Sequence, residues 1–488
     1  MNPAAPATFP QRLRPGPGPD RASGSIWWLA AVAAAFSLSQ LLFVSPRMGL
    51  GWDEAVYVSQ FSGHAPAAFF DAARARGVPL LVAPVTLVTS SAVALRGYLA
   101  LASGLGLFAA LWAWRRLRPA WVLALAGLAF GGLWVSQYYG PQAMPDEWVA
   151  LSGLAAVGFF LQAATGPGRR GALAGLTVSV TLAALFRPGD AVFLAVPLAL
   201  AVITVRPWRK WPLLGCVVGG MLAGSAEWVI EAYARFGSLA ARLHDASAEQ
   251  GGFGLHLAVW DELRAANGPT LCRPCTIGWR YPELSLWWLA LPVLVALGIA
   301  VARRAGTLGS SALAAVCGLS VAVQYLFLIS YAAPRFLLPA YALLAIPVAD
   351  ALAWLLSGVR QDLRKVTIPA VAVVLLGQLM IQHLVLDHEV SGTIVFHDDY
   401  SHVVTGLRHL GIRPPCLING EQYIPIAFYA GCASAPGVAS ALATSQHVAV
   451  LEPAGHSPPG YARRWAQYRL PGSGVLRVVA YLPPVRRR

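Results

Sequence analysis

The chain has 488 residues, of which 57% are hydrophobic and only 12% are charged, and its mean hydropathy is +0.58. This composition leaves too little polar surface for a water-soluble fold of this size, so it predicts that a lipid bilayer surrounds most of the chain. The net charge of +14 does not indicate nucleic-acid binding, because the basic residues lie in short runs between apolar stretches and form no continuous stripe.

The first part of the chain, 1–25, is rich in proline and glycine and predicts a disordered cytoplasmic tail, followed by a first helix that is retained. Beyond it, uncharged stretches recur that can cross a hydrocarbon core of about 30 Å. They predict a mainly α-helical, polytopic transmembrane bundle of about eleven helices. The stretches lie near 26–46, 97–114, 119–137, 148–168, 171–186, 191–205, 211–230, 284–302, 311–331, 336–357 and 366–386.

Basic clusters predict how the bundle is oriented. Placing all of them in the cytoplasm requires one strict alternation, with the N-terminus inside and the C-terminus outside. The clusters lie at 115–118, 169–170, 206–210, 303–304 and 360–365. Basic charge is carried almost wholly by arginine, and alanine, glycine and proline are abundant, which indicates a GC-rich bacterial genome. We therefore expect a multi-pass protein of the bacterial cytoplasmic (plasma) membrane.

One further uncharged segment, 77–95, is not counted as a crossing, because an extra crossing would place the 115–118 cluster outside. Pro79 and Pro84 interrupt it. We predict interfacial or re-entrant structure here, in the first outer loop. Arg74 and Arg76, just before it, are expected on the solvated side of an interfacial helix.

The last part of the chain, 387–488, breaks the apolar pattern and predicts a small α/β domain outside the membrane. The transmembrane domain then covers 26–386. Three β-like runs carry this prediction, at 416–419, 447–451 and 475–481.

Four of the six cysteines fall in predicted outer parts, and the other two fall inside predicted helices. An oxidising compartment predicts two disulfides, Cys272 with Cys275 and Cys416 with Cys432. The Cys-Arg-Pro-Cys spacing also permits a redox motif or half a zinc site. No thioredoxin-like context surrounds it, however, and no second motif of this spacing is present.

Two pairs of adjacent carboxylates are expected at the outer face. Asp53 and Glu54 open the first outer loop, and Asp146 and Glu147 precede the fourth crossing. Two interpretations stay open for each pair. The carboxylates either take part in chemistry, or they cap helix N-termini, where the helix dipole favours acidic groups.

Two arginines are exceptions to the preference of basic residues for the cytoplasmic side. Arg187 and Arg335 each lie beside a proline at the predicted outer end of a helix, where a cation can meet an anionic headgroup. The alternatives are an ion pair with Asp190 for Arg187 and a plain interfacial anchor for Arg335.

Other histidines and carboxylates of the outer parts are possible metal ligands, but their spacings match no metal motif. We expect them in solvated loops and predict neither a metal nor a cofactor. They are His244, Asp245, Asp261, Glu262, His397, Asp398, Asp399 and His402.

Several short motifs resemble the C-type superfamily of membrane glycosyltransferases, most closely the branch of protein O-mannosyltransferases and lipid A aminoarabinose transferases. The resemblance covers roughly 26–386, and its first-loop motif is the most specific. The chain departs from the pattern in lacking a Lys-Pro-Pro stretch after the first acidic pair. The motifs are Gly51-Trp-Asp-Glu-Ala-Val-Tyr57, Gly77-Val-Pro79, Met144-Pro-Asp-Glu147, Phe186-Arg-Pro188 and Pro334-Arg-Phe-Leu-Leu-Pro339.

The resemblance implies transfer of a sugar, with inversion, from a polyprenyl-phosphate donor to a hydroxyl of an envelope glycan, lipid or protein at the outer membrane face. Such an enzyme needs no nucleotide-binding glycine loop. The first carboxylate would be the base and the two outer arginines would hold the phosphate. The candidate catalytic residues are Asp53, Glu54 and Asp146, and the candidate substrate-binding residues are Arg335, Arg187, Glu147 and Tyr57.

Three other classes of function stay open: a glycan ligase or polymerase with a lipid-diphosphate donor, a lipid or glycan transporter, and a non-catalytic envelope scaffold. A transporter is expected to carry ionisable groups deep in several helices, whereas here they gather at one face. A scaffold is expected to tolerate loss of Asp53. The expected partners are the lipid-linked donor, the acceptor and membrane lipids, and no nucleic acid.

Overall fold

The computed structural model describes residues 23–166, 169–439, 442, 447–472 and 475–484, and within them the fold is mainly α-helical. Most of the predicted tail therefore lies outside the described residues. The helices are α1 (Ser23–Phe43), α2 (Trp52–Ser59), α3 (Gly77–Thr86), α4 (Ala92–Trp112), α5 (Ala120–Gly131), α6 (Trp134–Tyr139), α7 (Asp146–Thr165), α8 (Arg169–Phe186), α9 (Pro188–Thr204), α10 (Trp211–Arg235), α11 (Leu239–Glu249), α12 (Val259–Ala265), α13 (Leu286–Arg304), α14 (Leu308–Phe327), α15 (Leu338–Ser357), α16 (Gln361–His409) and α17 (Tyr423–Ala430).

Nine helices of the described residues are long and apolar enough to cross a membrane, judged by length and composition, and the chain is a multi-pass membrane protein. The remaining two predicted crossings coincide with the shorter apolar helices α5 and α9. The stretch at 119–137 is divided between α5 and α6. The Trp134 backbone N–H, at the start of α6, donates to the Gln382 side chain at 2.8 Å.

Helices α7 and α15 form the centre of the bundle, since 83% and 94% of their spans are buried inside the protein. The spans of α10 and α13 are at the periphery, with 22% and 11% buried. Their outward side chains, such as Leu222 and Val293, are apolar and exposed, as a lipid-facing surface requires.

The first outer loop contains two short helices, α2 and α3. Helix α3 has ten residues and contains Pro84. At about 1.5 Å per residue it spans roughly half of the hydrocarbon core. Its length favours the interfacial or re-entrant structure expected here, which stays a prediction.

Helix α16 has 49 residues and is about 74 Å long at 1.5 Å per residue, more than twice the thickness of a bilayer core. The predicted domain boundary at 386 and 387 therefore falls inside one continuous helix. The apolar pattern stops there, but the helix continues. Its first part exposes apolar side chains such as Val373, whereas its last part buries Val403 and Leu407 against the C-terminal sheet.

The C-terminal part contains one five-stranded sheet of order β2-β1-β3-β5-β4. Strand β1 is parallel to β2 and β3, and β5 is antiparallel to β3 and β4. The α/β prediction is confirmed, and sequence patterning missed only the two short strands β2 and β4. The strands are β1 (Cys416–Gly420), β2 (Ala433–Ser434), β3 (His447–Pro453), β4 (Ala466–Arg469) and β5 (Val478–Leu482).

Both predicted disulfides are present, Cys272 with Cys275 and Cys416 with Cys432. The second one ties strand β1 to the residue that precedes β2. The first lies in the long outer loop, where the Cys272 backbone N–H donates to the Ala332 carbonyl at 2.9 Å. That contact brings the loop beside the late motif that begins at Pro334.

Candidate active site

The candidate site forms where the start of α2 meets the loop before α3, the N-terminus of α7 and the short 3-10 helix Pro334–Leu337. Asp53 lies in the first turn of α2. Its Oδ1 accepts a hydrogen bond from Arg74 Nη2 at 2.7 Å, and its Oδ2 accepts one from Arg335 Nη2 at 3.2 Å. The Asp53 side chain is 32% exposed, whereas Glu54 and Asp146 are buried, so among the predicted catalytic carboxylates it is the most accessible.

Glu54 holds the first loop in place. Its Oε2 accepts from the Gly51 backbone N–H at 3.1 Å and from Arg96 Nη2 at 2.7 Å, and its Oε1 accepts from the Ala143 N–H at 2.9 Å. Arg96 also donates to the carbonyls of Gly49 and Pro141. These contacts favour a positioning role for Glu54, and the catalytic role expected from the sequence stays a prediction.

Arg74 was not predicted as a site residue. It was expected on a solvated surface, but its side chain is only 12% exposed and contacts both Asp53 and Asp71, the latter at 2.5 Å. Arg242 fixes the loop by donating to the Ala72 and Arg74 carbonyls at 3.1 and 3.0 Å. Arg187 and Arg335 were selected because they are arginines on the outer side, where basic residues are uncommon in membrane proteins. Arg74 is also on the outer side, so the same criterion applies to it.

Asp146 bridges the two arginines that the sequence selected. Its Oδ1 accepts from Arg187 Nη1 at 2.5 Å, and its Oδ2 lies 3.5 Å from Arg335 Nε. Asp190 is farther from Arg187, at 3.8 Å, so the ion pair considered for Arg187 is not its closest one. The ring of Phe336 lies 4.7 and 5.0 Å from the two guanidinium carbons. Asp146 is fully buried and is placed to orient both cations.

The two remaining candidates have different surroundings. Tyr57 lines the same cavity as the arginines, and its ring centre is 5.0 Å from the Arg74 guanidinium carbon. Glu147 is fully buried, accepts a hydrogen bond from Ser103 Oγ at 2.9 Å and lines neither cavity of the site. Glu147 therefore lies behind the cavity walls, and the substrate-binding role expected for it stays a prediction.

Asp53 lies on the wall between two cavities. The first has a volume of about 300 Å³ and contains the side chains of Arg74, Arg187 and Arg335. The second has a volume of about 470 Å³ and extends along α6 and α16 to the C-terminal domain. The residues that line both are Trp52, Asp53, Met144, Leu271 and Arg335.

Within the described residues, no group of three or more His, Cys, Asp or Glu side chains is arranged to hold a metal ion. The expectation of solvated loops is wrong, because all eight of those residues lie in helices α11, α12 and α16, and Glu262 and Asp399 are also buried. Glu262 Oε1 accepts from the Ala333 N–H at 3.3 Å, and burial raises the pKa of Glu262 to about 8. Asp399 Oδ2 accepts from the Leu476 N–H at 2.8 Å, which fastens α16 to the C-terminal domain.

No protein-family model and no curated protein sequence match this chain. Solved structures do. ArnT from Cupriavidus metallidurans bound to undecaprenyl phosphate superimposes with a TM-score of 0.65 at 16% identity, over 95% of this chain and 99% of that one. The chain has the fold of the C-type membrane glycosyltransferases.

A second structure with this glycosyltransferase fold is the archaeal oligosaccharyltransferase AglB from Archaeoglobus fulgidus, in complex with an inhibitory peptide and a dolichol-phosphate. It gives a TM-score of 0.53 at 12% identity, over 88% of this chain and 70% of that one. The likeness to ArnT runs almost end to end in both chains, so it includes the C-terminal domain. The sequence motifs had indicated this fold only as far as about residue 386.

Proposed function

We propose that this chain is a membrane glycosyltransferase that moves a sugar from a polyprenyl-phosphate donor to a hydroxyl of an envelope acceptor at the outer face of the cytoplasmic membrane. The observation that carries the proposal is the position of Asp53, a partly exposed carboxylate between an arginine-lined cavity and a second cavity. A base next to a phosphate site is what transfer from a glycosyl phosphate requires.

The first cavity suits the phosphate of the donor. Arg74, Arg187 and Arg335 come from three separate segments, and each is partly buried, where charge-assisted hydrogen bonds are strong. The donor is a phosphodiester, and the leaving group is a phosphomonoester with about −1.5 to −2 charges. The arginines therefore stabilise the charge that develops during transfer more than the charge of the bound donor, which is the condition for catalysis.

Asp53 acts on the acceptor. The acceptor hydroxyl approaches from the second cavity and attacks C1 of the sugar while Asp53 takes its proton. The bond from C1 to the phosphate oxygen breaks, and its electron pair stays on that oxygen. Because this is a single displacement, the anomeric centre inverts.

The electrostatics of Asp53 couple it to the donor. Burial alone would raise the pKa of Asp53, but Arg74 and Arg335 outweigh burial and hold that pKa below its ordinary value. Asp53 is therefore ionised and a weak base before the donor arrives. A donor phosphate that shares both arginines draws them away from Asp53, raises its pKa and strengthens the base.

Two observations support the ligand and the side of the membrane. ArnT carries undecaprenyl phosphate and AglB a dolichol-phosphate, so two proteins of this fold bind lipid phosphates. In this chain, Leu271 and Arg273, at the Cys272–Cys275 disulfide, line the first cavity. Disulfides persist in oxidising compartments, which favours an outward-facing site.

The second candidate function uses a lipid-diphosphate donor, which the cluster of three arginines also favours electrostatically. The two functions differ in the lipid that they consume. A strain without the protein is expected to accumulate a polyprenyl-phosphate sugar in the first case and a polyprenyl-diphosphate glycan in the second. Mass spectrometry of extracted lipids separates them.

The catalytic test is complementation of that strain with Asp53→Asn. The amide keeps the size of Asp53 but cannot take a proton, so transfer is expected to fall on the order of 10²–10⁴-fold and the donor is expected to stay accumulated. Asp362→Asn, at an exposed surface pair with Arg360, is the matched control and is expected to restore wild-type levels. Full complementation by folded Asp53→Asn protein would refute the mechanism, and accumulation of neither lipid would refute both glycosyltransferase functions.

A further inference from the structure

We infer that the acceptor is an uncharged, hydroxyl-rich sugar at the end of a glycan or glycolipid, bound in the second cavity. The inference rests on the proposed function, because it names the acceptor of that reaction. It excludes acceptors that present a phosphate to the donor sugar. The observations that carry it are the charge, the side chains and the volume of this cavity.

The two cavities differ in charge. Arg74, Arg187, Arg273 and Arg335 line the first, but among the described residues that line the second, Arg335 is the one arginine and there is no lysine. Arg335 is already shared between Asp53 and Asp146. A phosphate in the second cavity would therefore have no arginine or lysine of its own, and the other basic side chains of the lining are His388 and His397.

The acidic groups of the second cavity also favour an uncharged acceptor. Glu54 is neutralised by Arg96 and Asp53 is paired with Arg74 and Arg335, but Glu389 is a further carboxylate on this wall. An anionic acceptor would face Glu389, and like charges at short distance are unfavourable. Sugar hydroxyls instead donate hydrogen bonds to carboxylates, which are strong acceptors.

Other side chains on the wall provide flat aromatic faces and neutral hydrogen-bonding groups, a lining that suits a sugar ring. The volume of about 470 Å³ lies within the usual range for small-molecule sites. The aromatic side chains are Trp52, Tyr138, Tyr139, Phe396 and Tyr400, and the neutral polar ones are Gln142, Thr270, Thr393 and Gln422.

The chemistry of the base agrees with this acceptor. A hydroxyl must lose its proton as it attacks, and Asp53 lies on the wall of the second cavity to take that proton. A phosphate acceptor is already ionised at neutral pH and needs no base.

The first measurement is the linkage of the transferred sugar. Purified wild-type protein in lipid nanodiscs receives the polyprenyl-phosphate sugar accumulated by the deletion strain, in labelled form, together with envelope extract from that strain. The expected product carries the label in a glycosidic bond to another sugar. A phosphodiester, or a bond to serine or threonine, would overturn this inference but leave the glycosyltransferase function standing. Absence of donor cleavage would overturn both.

The second measurement blocks the cavity. Gly392 lies on its wall, and a Cβ at this position meets no atom within 4 Å, so Gly392→Leu adds bulk to the cavity without a clash at its base. Transfer is expected to fall roughly tenfold or more, because the acceptor is displaced from C1. Binding of polyprenyl phosphate is expected to stay at the wild-type level.

Gly377→Leu is the matched control, since Gly377 lies on the same helix, is equally free of neighbours and does not line the cavity. It is expected to transfer at the wild-type rate. Wild-type transfer by Gly392→Leu would overturn the placement of the acceptor. So would an equal loss in both variants.

Discussion

Asp53 and Glu54 are neighbours in the chain, yet their surroundings differ, and we expect them to have different roles. Asp53 is partly exposed and shares two arginines with the cavity. Glu54 is buried against Arg96 and two backbone N–H groups. Burial alone would raise the pKa of Glu54, but the charge of Arg96 outweighs burial and holds that pKa below its ordinary value. A carboxylate that is ionised and fully hydrogen-bonded stabilises structure and has little capacity to accept a proton.

Glu54→Gln is therefore expected to act on stability. Removing one partner of a buried ion pair leaves Arg96 uncompensated, which costs about 3–5 kcal/mol. We expect a lower unfolding temperature in detergent for Glu54→Gln and a nearly unchanged one for Asp53→Asn. Molecules of Glu54→Gln that remain folded are expected to bind polyprenyl phosphate. The assignment would be reversed if Glu54→Gln unfolded at the wild-type temperature and lost all transfer.

Arg335 is expected to act on donor binding, since it contacts both Asp53 and Asp146 and lines the phosphate cavity. Arg335→Ala is expected to weaken donor use by removing a charge-assisted partner. Arg335→Lys keeps the charge but loses the planar fork and is expected to recover only part of the activity. Donor kinetics with Arg360→Ala, a highly exposed arginine, provide the control. Unchanged donor kinetics in Arg335→Ala would reduce Arg335 to an interfacial anchor.

Helices α8 and α10 pack closely against each other at Gly224 of α10. A Cβ at Gly224 would lie 2.2 Å from the Thr181 carbonyl oxygen and 2.7 Å from the Ala184 Cβ, whereas a Cβ at Gly219 would meet nothing within 4 Å. Gly224→Ala is therefore expected to force the helices apart and to lower the free energy of unfolding by about 1–3 kcal/mol. Gly219→Ala is expected to be neutral or to gain up to about 1 kcal/mol, because alanine favours the helix.

Thermal unfolding of the two variants in the same detergent checks this pair. Both substitutions lie in one helix and add one methyl group, so the difference between them reports the contact with α8. Equal unfolding temperatures would contradict the close packing of α8 on α10.

The sequence was sufficient to predict those elements whose signal is local. Uncharged length located the nine described helices that are long and apolar enough to cross and the shorter apolar helices α5 and α9, and compartment chemistry located both disulfides. Contacts between distant segments were not predictable. The partner of Glu54 is Arg96, 42 residues away at a predicted helix boundary, and nothing in its neighbourhood marks it as buried. Arg74 carried a sequence signal, because it is an arginine in an outer loop, but its contact with Asp53 is a product of the fold.

At the scale of the whole molecule, the C-terminal domain completes the site. Tyr429 Oη accepts from the Leu50 N–H at 2.5 Å, and His397 Nδ1 donates to the Gly49 carbonyl at 2.8 Å. The Tyr423 ring packs edge-on against Trp52. The segment that precedes Asp53 is therefore held between the bundle and this domain. The domain thus helps to position the candidate site.

The orientation of the whole chain can be tested on a single helix. Asp362 and Ser401 are exposed near opposite ends of α16 and about 58 Å apart at 1.5 Å per residue, so both cannot lie on one side of a bilayer core of about 30 Å if α16 crosses it. The positive-inside rule predicts Asp362 in the cytoplasm and Ser401 outside.

Single cysteines are introduced at each position after the free Cys216 and Cys317 are replaced by alanine, which keeps both disulfides. An impermeant maleimide is expected to label Ser401→Cys in spheroplasts and Asp362→Cys only after the membrane is permeabilised. The reverse pattern would place the active site in the cytoplasm, and labelling of both in intact spheroplasts would show that α16 does not cross.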